Sequence, residues 1–197
     1  MGEKSIKKTK TTPEKPKNPR RIKKRYVSLA LIVIASLIIL TKLWSESTII
    51  FLDVSSDSMD ITLKNLKTDY KEKAAIIPVL VGTIKSESDF EGNILVNVTN
   101  AMAVLLKDTE NREFILAVNE LDSSLDILFS ELDGYRKLNV NTRYNDLINS
   151  LGTIDTKTTE EITFYNSVAE KYNDIVKSFP TKLIANKHNY TTRLSFQ

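Results

Sequence analysis

The chain has 197 residues, room for one ordinary domain with a tail and a membrane segment. Its formal net charge of +3 conceals a split: residues 1–25 hold 11 Lys and Arg against two acids, whereas residues 45–197 hold 16 against 23. No cysteine is present, which excludes disulfides, zinc thiolate sites, iron–sulfur clusters and thiol nucleophiles.

Met1–Arg25 is rich in Lys, Thr and Pro and has almost no apolar residue. It has too little apolar surface to offset the entropy of folding and reads as a disordered basic tail. An N-myristoylation motif needs Ser or Thr where the chain has Ile6, so lipidation at Gly2 is not expected. The basic run Arg20–Arg25 sets membrane topology, and it is also suited to anionic headgroups. No folded basic face accompanies it, so nucleic acid is not an expected partner.

Tyr26–Trp44 follows, uncharged as far as Thr41 and interrupted only by Lys42. As a helix it would be about 28 Å long, close to the hydrocarbon thickness of a bilayer. Tyr26 and Trp44 stand where interfacial aromatics belong, and Lys42 can snorkel to the headgroups. The stretch Thr41-Lys42-Leu43-Trp44-Ser45 lacks a small-residue cleavage pattern, which favours an uncleaved anchor over a signal peptide. The positive-inside rule then places residues 1–25 in the cytoplasm and residues 45–197 outside it, at the inner (cytoplasmic) membrane.

Beyond the anchor, apolar residues recur at three-four spacing. Met59, Leu63, Leu66, Tyr70, Ala74, Ile77, Leu80 and Ile84 form a first stripe, with Pro78 expected to kink or reset the helix. Ser86-Glu87-Ser88-Asp89 reads as a turn and N-cap. Phe90, Ile94, Val98, Ala101 and Leu105 form a second stripe, and Lys107-Asp108-Thr109 ends it. A third runs Phe114, Val118, Leu121, Leu125, Leu128, Leu132, with Gly134 as its C-cap. A fourth begins near Asn141 and runs from Tyr144 through Leu151, Thr158, Tyr165, Ala169 and Tyr172 to Phe179, where Pro180 ends it. The expected fold is all-α: an N-terminal transmembrane helix followed by an antiparallel bundle of about four long helices. The aromatic and Met residues are spaced as core.

Chemistry is sparse. The one histidine, His188, lies in a polar stretch without converging ligands. Glu160-Glu161 and Glu110, Glu113 and Glu120 read as solvated helix faces, and the Glu-x-x-His motif of bundle metal sites is absent. No G-x-S-x-G elbow or phosphate-cradling Gly loop is present. Asn97-Val98-Thr99 and Asn189-Tyr190-Thr191 match the glycosylation sequon, which is short enough to arise by chance. No catalytic, cofactor-binding or metal-binding residue is singled out, no cofactor is expected, and the protein reads as a non-enzyme. Its expected partners are the lipid bilayer, through residues 26–44, and unidentified membrane or extracytoplasmic proteins; a homo-oligomer is compatible with the sequence.

The closing pattern is Tyr165-Asn166, Tyr172-Asn173, Phe179-Pro180, Leu183-Ile184-Ala185 and a final aromatic, Phe196. With Tyr135, Leu138 and Asn141 upstream and Ile76-Ile77-Pro78 before them, it resembles the LemA family of bacterial membrane-anchored helical proteins. The resemblance spans residues 49–196 and implies a LemA-like bundle over residues 45–197. There are departures. Ile49 and Ile50 stand where the family usually has Tyr-Asn, Glu72 and Lys73 where it carries paired Arg, and Asp155 where it has Glu. Glu161 and Ile162 replace an Ala-Arg step, and Arg136 replaces Pro. The resemblance implies no established biochemical activity; the missing nucleophiles, metal ligands and cofactor loops favour a scaffold or interaction protein over a ligand-binding module or an enzyme with an unrecognised site. The added tail also resembles the MamQ-like branch, which would imply magnetosome membrane formation.

Overall fold

The computed structural model of the protein describes residues 19–87, 90, 92–107 and 109–197, with side chains from Tyr26 onward. The chain divides into two compact units, Met1–Glu46 and Ser47–Gln197. The helices are α1 (Pro19–Glu87), α2 (Asn93–Leu105), α3 (Asn111–Leu132), α4 (Arg136–Asn139), α5 (Thr142–Lys177) and α6 (Thr181–Lys187), and no strand occurs among the described residues.

In the first unit α1 starts at Pro19, inside the stretch read from sequence as an unstructured tail to Arg25. Proline suits the first turn of a helix, where its missing N–H costs nothing, and the Arg and Lys residues after it are good helix formers. Residues 1–18 lie outside the described part. From Tyr26 to Leu43 the apolar side chains point away from protein: Leu29 is 56% exposed and Ile38 53%. The hydroxyls of Ser36 and Thr41 donate to the backbone oxygens of Val33 and Ile38, so the segment satisfies its own polar groups, as lipid requires. It is a candidate membrane span by length and composition.

The second unit is built on α1 from Ser47, with α2, α3 and α5. Pairs across the helices give the directions. Lys157 on α5 meets Asp69 and Asp155 meets Lys73, so α5 runs antiparallel to α1. Lys67 reaches Thr109 and Lys73 reaches Asp122, so α3 runs parallel to α1. α1 and α3 thus run one way and α5 the other, in keeping with the expected antiparallel bundle, and two short helices are added. Leu52, Met59, Leu63, Leu66, Ile77, Leu80 and Ile84 of α1 meet Val98, Leu121, Leu128, Leu151 and Ala169 in one core.

Three local expectations are corrected, and at Pro78, where a kink or a reset was expected, the helix is not reset but continues to Glu87. The lost hydrogen bond costs about 3 kcal/mol, a sum the burial of Ile77, Leu80 and Ile84 on either side can offset. Ser86 and Glu87 still belong to α1, while Ser88 and Asp89 lie outside the described residues; α2 is capped by Gly92 without a side-chain bond. At Gly92 a Cβ would sit 2.8 Å from the Phe90 ring, so the bare backbone lets Phe90 fold onto the core. Gly134 is not a left-handed cap: α3 stops at Asp133 in right-handed geometry, and no described glycine has positive φ. Phe179, the last member of the fourth stripe, is 81% exposed because α5 ends at Lys177 and extended backbone at Ser178 breaks the helical spacing. Asn141 does cap α5, its side chain accepting from the Tyr144 amide at 2.9 Å.

Candidate functional site

The polar side chains of the bundle gather at two places. The first is a buried charge cluster at mid-height between α1, α3 and α5. Lys73 is 3% exposed and lies on the apolar face of α1, so its ammonium cannot reach bulk water. It donates to Asp122 at 2.6 Å and pairs with Asp155 at 2.7 Å. Tyr70, one turn earlier, donates to the other Asp122 oxygen at 2.5 Å, and its ring lies 5.2 Å below the ammonium. Burial works against the ammonium, but the two carboxylates prevail and hold its pKa above the ordinary lysine value. Burial and the neighbouring Asp122 push the Tyr70 phenol far up, so it stays a donor. A hollow of about 270 Å³ opens beside the cluster, lined also by Asp126, Phe129 and Thr159.

One turn away on the same two helices, buried Asp69 accepts from Lys157 at 2.6 Å. Its second oxygen and Oε2 of Glu161 are both buried and take no bond from a protein donor. Burial first, then the Asp69 carboxylate, raises the Glu161 pKa. A proton on Glu161 would let it donate to Asp69, where two carboxylates can only repel. Glu161 was read as part of a solvated face; the structure corrects this to a half-buried group. Glu160, Glu110, Glu113 and Glu120 are exposed.

The second place is a seam in which the C-terminal segment is gripped by α5. Asn173 both donates to and accepts from the backbone of Arg193, at 2.8 Å in each direction. Seven residues earlier Asn166 does the same to Phe196, at 3.2 and 2.9 Å. The two amides stand two turns apart on one helix face and behave as a short stretch of sheet edge. Tyr165 donates to Leu194 O at 3.0 Å, and the Phe196 ring enters the core edge-on to Tyr165 and Phe114. Tyr190 donates to Asp53 at 2.5 Å, which first, with burial, pushes its pKa up to about 12. Arg193 reaches Ser56 and Asp60 of α1 at 2.7 and 3.2 Å. A 410 Å³ hollow runs beside the segment from Ser56 to Leu194. His188 is exposed, its ring stacked 6.3 Å from that of Tyr190.

Part of the pattern that carried the family resemblance converges, while Phe179 and Leu183 stay exposed. Tyr165, Asn166, Tyr172, Asn173, Ala185 and Phe196 build one seam, and Asn141 with Leu138 builds the start of α5. The charge cluster was missed as a unit, although Lys73 and Asp155 were noted as departures from the family pattern; the structure shows them paired. Among curated proteins none matches the chain. The LemA family model matches residues 62–197, which take in both polar clusters apart from the first α1 residues of the seam. On that match, and on the seam its closing pattern builds, the chain belongs to the LemA family.

Proposed function

We propose that this protein is a non-enzymatic, single-pass scaffold or interaction protein at a bacterial inner membrane, with residues 1–25 cytoplasmic and the bundle extracytoplasmic. The observation that carries the reading is how the converging charges are engaged. Lys73 is held by Asp122 and Asp155, Asp69 by Lys157 and Asp60 by Arg193, each pair joining one element to another. Catalysis needs groups poised toward a substrate; these groups face one another. What the bundle offers outward is helix surface of mainly acidic character, suited to recognition by area rather than by a reactive side chain.

An in-cell complementation series with protein levels followed by blot tests this. Function should survive Glu160→Gln and His188→Ala, and should fail when residues 26–44 are removed or Leu125→Asp places a charge in the core. A stable, correctly localised Glu160→Gln chain without function would point to a reactive site and overturn the reading. A second reading, a MamQ-like role in forming the magnetosome membrane, draws support from the basic segment ahead of the anchor. Magnetosome genes beside the coding sequence would favour it.

A further inference from the structure

The link after α5 and the short α6 carry two apolar side chains that the core does not use. Phe179 is 81% exposed and Leu183 63% exposed. Lys177, Lys182 and Lys187, close by in the chain, are exposed as well, and no Asp or Glu occurs from residue 175 to 197, in a bundle that is otherwise acidic. An exposed Phe and Leu interspersed with three exposed lysines on an acidic domain is a local inversion of both polarity and charge.

The helix register says which end of the bundle this is. Asp69 pairs with Lys157 and Lys73 with Asp155, so each step up α1 is a step down α5. Carried along the helices, that register sets Phe179 level with about residues 47 to 49. The tail agrees, since Tyr190, just past α6, meets Asp53. Ser47 is the first residue of the bundle unit, and only Ser45 and Glu46 separate it from Trp44, the end of the apolar segment. The three steps from Trp44 to Ser47 span at most about 10 Å even when fully extended.

We propose that Phe179 and Leu183, with Lys177, Lys182 and Lys187, form a second lipid contact that seats the bundle on the anionic surface of the bilayer holding the anchor. The aromatic and aliphatic tips enter the headgroup region while the ammoniums remain at phosphate level, the division of labour of an interfacial amphipathic element. This rests on the reading of residues 26–44 as a membrane span. A second copy of the chain is the rival occupant; the three exposed lysines disfavour it, because two copies would bring like charges together.

The full chain is reconstituted in phosphatidylcholine–phosphatidylglycerol vesicles containing lipid brominated near the headgroup. A Trp44→Phe background removes the one native tryptophan. In it, Phe179→Trp is compared with Val140→Trp, an 82% exposed position about 55 Å away along α5. The Phe179→Trp emission should fall to roughly half in brominated vesicles, and the Val140→Trp emission should hold, as insertion of only one tip requires. Converting the three lysines to Glu should weaken the quenching; quenching unchanged by that reversal overturns their assignment. A chain that does not float with vesicles removes the anchor reading. A chain that floats, with position 179 no more quenched than position 140, overturns the lipid contact alone. Emission that is blue-shifted but unquenched, and that reverts on dilution of protein in the bilayer, assigns the patch to a second copy and overturns it as well.

Discussion

Lys73 stands at a core position of a seven-residue repeat. Met59, Leu63, Leu66, Tyr70, Lys73, Ile77, Leu80 and Ile84 alternate four-three steps along α1, and Lys73 is the one charged member. A cation on such a seam must be met by carboxylates, and Asp155 occupies the matching place on α5 between Leu151 and Thr158. The signal was present in the sequence, but the equally well spaced Ala74 drew the stripe away from it. Lys73→Met should lower stability by about 2 kcal/mol, less than the full cost of breaking a buried pair, because the orphaned Asp122 and Asp155 are a third or more exposed. Asp155→Asn should cost less, since Asp122 remains. Urea unfolding of the reconstituted chain ranks the two.

Glu161 gives a pH prediction. Its pKa is raised in the folded state, so between the ordinary glutamate value and the raised one the folded chain binds more protons than the unfolded. The stability this proton supplies is complete below the ordinary glutamate range and is lost as pH rises through the folded pKa. Glu161→Gln should therefore flatten the loss and stabilise the bundle near neutrality by about 1 kcal/mol, because the amide keeps a donor aimed at Asp69. Melting temperatures across pH 4–8 for both chains provide the check, and a parallel pair of curves would refute the shared proton.

At the scale of elements, apolar spacing revealed which residues turn inward, and nearly all of them do. Periodicity reports a face, however, and not the partner across it. Hence the four stripes were legible while the side-chain amides of Asn166 and Asn173 were visible only as part of a family pattern. Phe179 failed because it lies two residues past the helix end, where spacing no longer maps to a face, while Pro78 leaves α1 continuous because it is outweighed by its buried neighbours. The seam makes its own prediction. Asn173→Ala removes both bonds to Arg193 and should cost about 1–2 kcal/mol. Phe196→Ala opens a cavity beside Phe114 and Tyr165 and should cost about 3 kcal/mol. Hydrogen exchange should show the Arg193 and Phe196 amides losing protection before those of α3 and α5 in both variants.

For the whole molecule, the charge split between residues 1–25 and 45–197 fixes the expected orientation. A reporter active only outside the cytoplasm should work when fused after Gln197, and a cytoplasm-dependent one should stay silent. Far-ultraviolet circular dichroism of the detergent-solubilised chain should be mainly helical, as six helices and no strand among the described residues require.

The seam joins parts of the chain that are made far apart in time. Tyr190 meets Asp53 and Arg193 meets Ser56 across 137 residues. A nascent chain that has completed α5 still has an open groove where Phe196 belongs. If the domain is exported, the translocon receives a chain whose last clasp does not yet exist, so premature locking on the wrong side of the membrane is avoided by the order of synthesis alone. Closure over so long a loop is also the contact with the largest entropic cost, which makes the clasp the natural last step of folding and the natural first step of opening.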